Sequence, residues 1–547
     1  DGGVEALFTT IGEADQPVTF TETGANSGIF TNWDDSLKTN MLINKQADRG
    51  TQATFWWDDV EYSVLNMPFW GTVEFNEEYD KYQEGGIGAE WNSGELIQIL
   101  VTDGDMNFDA RTKDQMKIKS NTTIVPGIKI GSPITLASVD TIKFSDGGAA
   151  LETLDDNIAE NQCSSDYSSA GTDTSYVSCY EKYSERAIMT VEDDPAQFAA
   201  TDQLIFQYGG TDSDGDAVQY KSLQDLKDLI GGSNGTAAYT YINYDFRAFN
   251  GGSDDPNYQL NFTIGDEEVL SGTAHQANHF SYTVATSDFV TAANTLTCEG
   301  LVGSCLINSP EIKLRFDQNA LLDETDDLVV VVQMNALNSG SLDNLSAGTS
   351  YGITMDFVTF GQSNDGVMQS DRHNNSIYRV EVKETGVNSN VMKSELDYIM
   401  LNQINVNQTS TYNITKTDFE ENRIIVHNDL TDEDEIRINY FDMGADGVET
   451  QVGDQLAAPT HSGVVEFDND SYKEADTVVI TLTDADLNTN PDIIDIYSVV
   501  SSTGDDAMDM VGKANYGLNS VDAANGRLLD VTFDDELWLK SDATINS

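Results

Sequence analysis

Four landmarks run along this chain twice in the same order, so its fold must be built largely from one repeated block. Glu22-Thr-Gly-Ala-Asn-Ser-Gly-Ile-Phe30 recurs as Glu384-Thr-Gly-Val-Asn-Ser-Asn-Val-Met392. Trp57-Asp-Asp-Val-Glu-Tyr62 matches Asp434-Glu-Ile-Arg-Ile-Asn-Tyr440. Val73-Glu-Phe75, followed by Tyr79, matches Val465-Glu-Phe467, followed by Tyr472. Leu100-Val-Thr-Asp-Gly-Asp-Met-Asn107 matches Thr481-Leu-Thr-Asp-Ala-Asp-Leu-Asn488. Each copy reads as two modules, and residues 150 to 350 read as an insert with no copy of its own.

The pieces between the landmarks are strands. Val18 to Glu22, Leu96 to Thr102, Leu328 to Gln333, Tyr378 to Val382 and Val478 to Leu482 are short and β-branched, and Gly, Asn and Asp clusters bound them. Many alternate apolar and polar residues, as half-buried antiparallel strands do. The expected class is therefore all-β, as tandem β-sandwiches. Two helices stand out against it: Leu223 to Ile230, closed by Gly231 and Gly232, and a weaker one over about Ala150 to Glu160. At 547 residues the chain exceeds one hydrophobic core. The pattern divides it at 1–67, 68–148, 149–245, 246–350, 351–455 and 456–547. A strand over Tyr351 to Phe357 precedes the second Glu-Thr-Gly element, whereas little chain precedes the first, so the sequence is expected to be part of a longer polypeptide or to have a sheet completed by another segment.

Acidity sets the partners. With 93 acidic and 28 basic residues the formal net charge is −65. Self-repulsion on that scale opposes a compact state in dilute salt, and salt or bound cations relieve it. Nucleic acid is excluded, because its phosphates would be repelled, and cations are attracted. Adaptation to a salty medium accounts for the charge equally well. No run of about 18 apolar residues is present, so no transmembrane segment is expected.

Cys163, Cys179, Cys298 and Cys305 form two sequence-local pairs without CxxC spacing or a nearby histidine, which disfavours zinc. The expected pairings are Cys163–Cys179 and Cys298–Cys305, in an oxidising extracellular setting. N-x-S/T sequons at Asn121, Asn234, Asn261, Asn344, Asn374, Asn407, Asn413 and Asn469 agree with that setting.

The repeated acidic loop carries the most chemistry. Asp103, Asp105, Asn107 and Asp109, with Asp114 further on, recur as Asp484, Asp486, Asn488 and Asn490, with Asp495 further on. Alternate oxygen-bearing side chains can converge on Ca²⁺ or another divalent cation, which takes hard oxygen ligands. Asp212, Asp214 and Asp216 are a third candidate. A solvated acidic turn is the competing reading of all three. The Glu-Thr-Gly-x-Asn-Ser element reads as a structural turn. No catalytic constellation emerges: there is no nucleophile elbow, P-loop or dinucleotide fingerprint, and His275 and His279 lack a metalloprotease motif. Trp56, Trp57, Trp70 and Trp91 read as core rather than as a sugar platform.

Glu384-Thr-Gly-x-Asn-Ser, Leu401-Asn-Gln403, His461-Ser-Gly-Val-Val465 and Asp484-Ala-Asp-Leu-Asn488 resemble the surface-layer (S-layer) proteins of archaea, above all those of ammonia-oxidising archaea. The match is strongest over residues 351 to 500 and looser in the first copy. The resemblance implies tandem immunoglobulin-like β-sandwich domains and an extracellular, cell-surface location. It further implies self-association into a two-dimensional, commonly hexameric lattice, N-glycosylation and divalent-cation dependence. A coat with carboxylate-lined pores would enrich cations such as ammonium. A secreted calcium-dependent adhesin or carbohydrate-binding protein is the alternative, and enzymatic activity is not expected.

Overall fold

The computed structural model describes residues 20–32, 52–67, 69–76, 93–109, 112–121, 123–145, 152–154, 178–181, 183–191, 203–211, 217–219, 221–230, 239–250, 258–265, 280–284, 302–307, 327–336, 349–360, 375–401, 423–427, 435–443, 449–457, 463–473, 476–488, 494, 532–533, 536–537, 539–541 and 544–546. Nearly all regular structure there is β, and the sheets are antiparallel except where Val391–Leu401 pairs in parallel with Arg423–His427.

Two sandwiches account for the core. In the first, a six-stranded sheet contains Thr141–Ser145, Gln203–Gln207, Val329–Ala336 and Tyr258–Gly265. It faces a five-stranded sheet that contains Arg186–Val191, Thr349–Phe360 and Tyr239–Asp245. Alternation decides the packing. Leu204 and Phe206 enter the core with Val330 and Val332, while Ile205 joins Val329 and Val331 on the outer face. The helix Leu223–Ile230 lays Leu223, Leu226 and Leu229 on the same core. Its start is a capping box: the Asp225 amide donates to Ser222 Oγ, and the Ser222 amide donates to Asp225 Oδ2. The second helix expected from the sequence is not found over Glu152–Leu154, which pairs instead as a strand with Thr141–Ser145. A neighbouring edge in need of hydrogen bonds outweighs a weak local helical preference.

In the second sandwich, a six-stranded sheet joins Thr72–Phe75, Leu96–Thr102, Gln115–Met116, Val382–Glu384, Val391–Leu401 and Arg423–His427. It packs on a sheet of Gly127–Ile130, Ser376–Arg379, Glu435–Met443 and Glu449–Ala457. Segments 68–148 and 351–455 therefore share both sheets, and the first sandwich crosses the expected boundaries after 148, 245 and 350. The structural unit is offset from the sequence repeat: the second half of copy one and the first half of copy two complete one sandwich. An exposed apolar face pairs with whatever complementary face it reaches, and strand pairing does not require sequence proximity.

The landmark alignment shifts in one place. The hairpin Gln52–Trp57 with Val60–Leu65 and the hairpin Glu435–Met443 with Glu449–Ala457 each precede the Val-Glu-Phe strand. They are the structural equivalents, so residues 57 to 62 span a turn while 435 to 440 lie in a first arm.

Buried arginines join the sandwiches. Arg379, on the second, reaches Asp356 on the first, with Nη2 to Oδ1 at 2.9 Å, and also donates to the Ser184 and Glu185 carbonyls. Arg247 bridges Asp245 and Glu381 at 2.7 Å each. Gly352 admits the carbonyl of Ile118, which would stand 2.4 Å from a Cβ at that position. No helix among the described residues is long and apolar enough to cross a membrane.

The cores also hold buried tyrosines. Burial pushes the Tyr378 phenol up to about 12, and pushes Tyr208, Tyr398 and Tyr440 up as well. Between pH 10 and 12 the unfolded chain releases the Tyr378 proton while the folded chain keeps it. Stability is therefore whole below pH 10 and falls by roughly 3 kcal/mol through that window for this residue alone. The tyrosinate absorbance of these buried phenols should appear in one step together with loss of the β circular dichroism signal; their gradual titration in an intact fold would contradict the burial.

Candidate cation site at the acidic loop

The loop after Leu96–Thr102 is held at the junction of the two sequence copies. Asp103 Oδ1 accepts the Asp105 amide at 2.7 Å, and its Oδ2 accepts the Tyr440 hydroxyl at 2.6 Å. Asp442 Oδ2 accepts the Gly71 amide at 2.8 Å, and Asp105 Oδ2 accepts the Phe69 amide at 3.2 Å. Asp103, Asp105 and Asp442 each bring a carboxylate oxygen within 4.8 Å of the other two. Asp103 and Asp442 are buried and Asp105 half-buried. Gly71 makes room, since a Cβ there would come within 3.1 Å of Asp442 and Tyr440. Burial first, then the charge of Asp103, holds the Tyr440 phenol well above its usual range, so it stays a donor.

Two of the five ligands expected from the first loop thus meet. Asn107 turns elsewhere: its amide donates to Asn388 Oδ1 at 2.6 Å and to Asn390 Oδ1 at 2.7 Å, while its own carbonyl oxygen is buried without a hydrogen-bond partner. Asp114 closes the loop by accepting the Phe108 amide at 2.7 Å and the Asp109 amide at 2.8 Å. The Asp109 amide thus ties the loop to itself. Asp442 was missed because it lies on another copy. Its signal was local: Ile436, Ile438 and Tyr440 alternate inward along one strand, and an acid continues that inward series.

The Glu-Thr-Gly turn of copy two clasps this loop. Glu384 Oε1 accepts the amides of Ser389 at 3.1 Å and Asn390 at 3.2 Å, and Oε2 accepts the Asp114 amide at 3.0 Å. Lys113 Nζ donates to the Thr385 carbonyl at 2.6 Å. Asn388 and Asn390 sit at φ +55°, which asparagine tolerates and most side chains do not. The structural reading of the turn holds.

In copy two, Asp484 Oδ1 accepts the Asp486 amide at 3.0 Å, the same turn as at Asp103. The Asn488 carbonyl accepts Ser93 Oγ, and Asp486 is buried against Tyr398. No further acid joins Asp484 and Asp486 in a metal-sized group among the described residues. Asn490, Asp495, Asp212, Asp214 and Asp216 lie outside them, as do Cys163 and Cys298 and hence both expected cysteine pairings. Cys179 and Cys305 fall in the strands Ser178–Glu181 and Val302–Ile307. Of the sequons, Asn469 is exposed, Asn121 is half-exposed and Asn261 lies in Tyr258–Gly265, whereas Asn234, Asn344, Asn374, Asn407 and Asn413 lie outside the described residues. Trp57 and Trp70 are exposed, against the expectation that they are core.

The triad offers several hard oxygens, two carboxylates of which are buried, and the hydrogen bonds described above come from neutral donors. Charges so close and so desolvated repel, and a bound divalent cation offsets that repulsion. The residues fit such an ion. No family model matches the chain, and no curated protein matches it.

Proposed function

We propose that the chain is a structural subunit of an extracellular coat, a cell-surface layer of immunoglobulin-like β-sandwiches that attracts cations and is stiffened by them. The observation that carries this reading is the joint between copies, where the acidic loop and the Glu-Thr-Gly turn interlock through Asn107, Asp114 and Glu384. Such a joint serves rigid tandem assembly, and a divalent cation held by Asp103, Asp105 and Asp442 would cross-link the two copies across it. The net charge of −65 would then make the coat a sieve that enriches cations such as ammonium. Exposed Asn469 is a ready glycan acceptor.

Electron microscopy of the assembled protein with and without a chelator tests this. Ordered arrays, hexagonal by resemblance, that dissolve on chelation and reform with Ca²⁺ are the expected result. Arrays indifferent to chelation would remove the cation from the reading, and absence of any array would remove the coat. Exposed Trp57, Phe69 and Trp70 favour a second reading, a calcium-dependent carbohydrate adhesin. It expects glycan binding that the Trp70→Ala substitution abolishes.

A further inference from the structure

The two ends of the chain carry separately the halves that its middle joins. The hairpin Val464–Phe467 with Ile480–Thr483 repeats the hairpin Thr72–Phe75 with Leu96–Thr102 residue for residue: Val465 pairs Leu482 as Val73 pairs Val101, and Phe467 pairs Ile480 as Phe75 pairs Ile99. Gly463 approaches Asp484 as Gly71 approaches Asp103. The surroundings differ. Val73 and Phe75 are each 4% exposed, whereas Val465 is 47% and Phe467 60% exposed.

The opposite half shows the same contrast. Glu22 pairs Phe30 as Glu384 pairs Met392, and Asn26 and Gly28 hold positive φ where Asn388 and Asn390 do. Glu22 Oε1 accepts the Gly28 amide at 2.7 Å, the counterpart of Glu384 with Asn390. Met392 is fully buried, and Phe30 is 58% exposed.

In the middle of the chain these halves meet in a fixed register, Met392 opposite Val101 and Val391 opposite Thr102. We infer that the first half of copy one in one molecule docks on the second half of copy two in another, rebuilding the internal sandwich between chains. The partner is a second copy of this chain because the two faces that stand exposed among the described residues are the two sides of a contact it already makes. Phe30 then lies opposite Leu482 and Ile29 opposite Thr483, and the Glu22 turn clasps the loop after Asp484. The contact is heterologous, so it propagates head to tail into a filament or closes into a ring. It goes beyond the coat reading, since it holds for any polymer of this chain.

The test is cross-linking of the whole chain. Val391 and Thr102 occupy the face of the sheet opposite to Met392 and Val101, so the equivalent substitutions Ile29→Cys and Thr483→Cys leave the proposed core untouched. The double variant, oxidised, should give a ladder of covalent multimers on a denaturing gel, and an equal mixture of the two single variants should give dimers and nothing larger. Phe30→Asp should abolish the ladder while leaving the circular dichroism spectrum unchanged. Monomers after oxidation would overturn the inference, as would a cross-link closed within one molecule or a ladder unaffected by Phe30→Asp. A ladder without two-dimensional arrays would sink the coat and leave this contact standing.

Discussion

Replacing Arg186 by alanine is expected to cost the fold about 3–5 kcal/mol, the range seen when one partner of a buried ion pair is removed. The guanidinium is almost wholly buried. It grips Glu181 with both faces of its fork, Nε to Oε2 at 2.9 Å and Nη2 to Oε1 at 3.0 Å. Its other donors fill the carbonyls of Lys117, Ile118, Ser120 and Thr123, with Ile118 and Ser120 each at 2.6 Å. These carbonyls belong to the second sandwich, while Arg186 stands on the first. Alanine leaves the desolvated Glu181 carboxylate without its cation and takes the guanidinium donor from the carbonyls of Ile118, Ser120 and Thr123, while the Lys117 carbonyl keeps the Ser120 amide and the Thr123 hydroxyl. Lysine keeps the charge but not the fork, so it should recover only part of the loss. Denaturant melts measure the cost, and hydrogen exchange should show residues 117–123 opening before the rest. A shift below about 1 kcal/mol would mean that the junction does not depend on this residue.

The second large effect separates two glutamates that the sequence makes look alike. Glu384→Ala removes the acceptor of the half-buried amides of Ser389, Asn390 and Asp114, where a fully buried unsatisfied donor would cost about 1–3 kcal/mol. Allowing for water entering the gap, a net loss of about 3 kcal/mol is expected. Glu22→Ala removes the same side chain from an exposed turn and should stay within about 0.5 kcal/mol in the isolated molecule. It should nevertheless weaken chain-to-chain cross-linking. Thermal melts of both variants decide the first part. Equal losses would show that the turn is stabilised by its own bonds and not by the loop it clasps.

The contrast marks how far the residues could be read. Strand positions, the all-β class, the Leu223–Ile230 helix and the repeat itself were legible, because each depends on local periodicity or local turn chemistry. Asp103 and Asp105 were legible as members of an acidic cluster for the same reason. Asp442 was not, since no spacing rule joins it to a loop of the other copy. The offset between repeat and sandwich was hidden too. Sequence similarity shows which segments are alike, whereas packing depends on which faces are complementary. Here Val101 pairs on one side with Val73 of its own copy and on the other with Met392 of the second copy, and no rule of sequence spacing picks out the latter. Trp57 misled for a related reason: an alternating aromatic strand signals a face that needs covering and leaves open which chain covers it.

The strand Thr349–Phe360 belongs to one sheet yet serves two cores. Ile353, Met355 and Phe357 enter the first, and Val358 and Phe360 enter the second. A party wall of this kind leaves no seam for tension to open. Pulled from its ends, the pair of sandwiches must rupture as one mechanical element, in a single high-force event, and strain in a stretched sheet of such molecules would concentrate where one molecule meets the next.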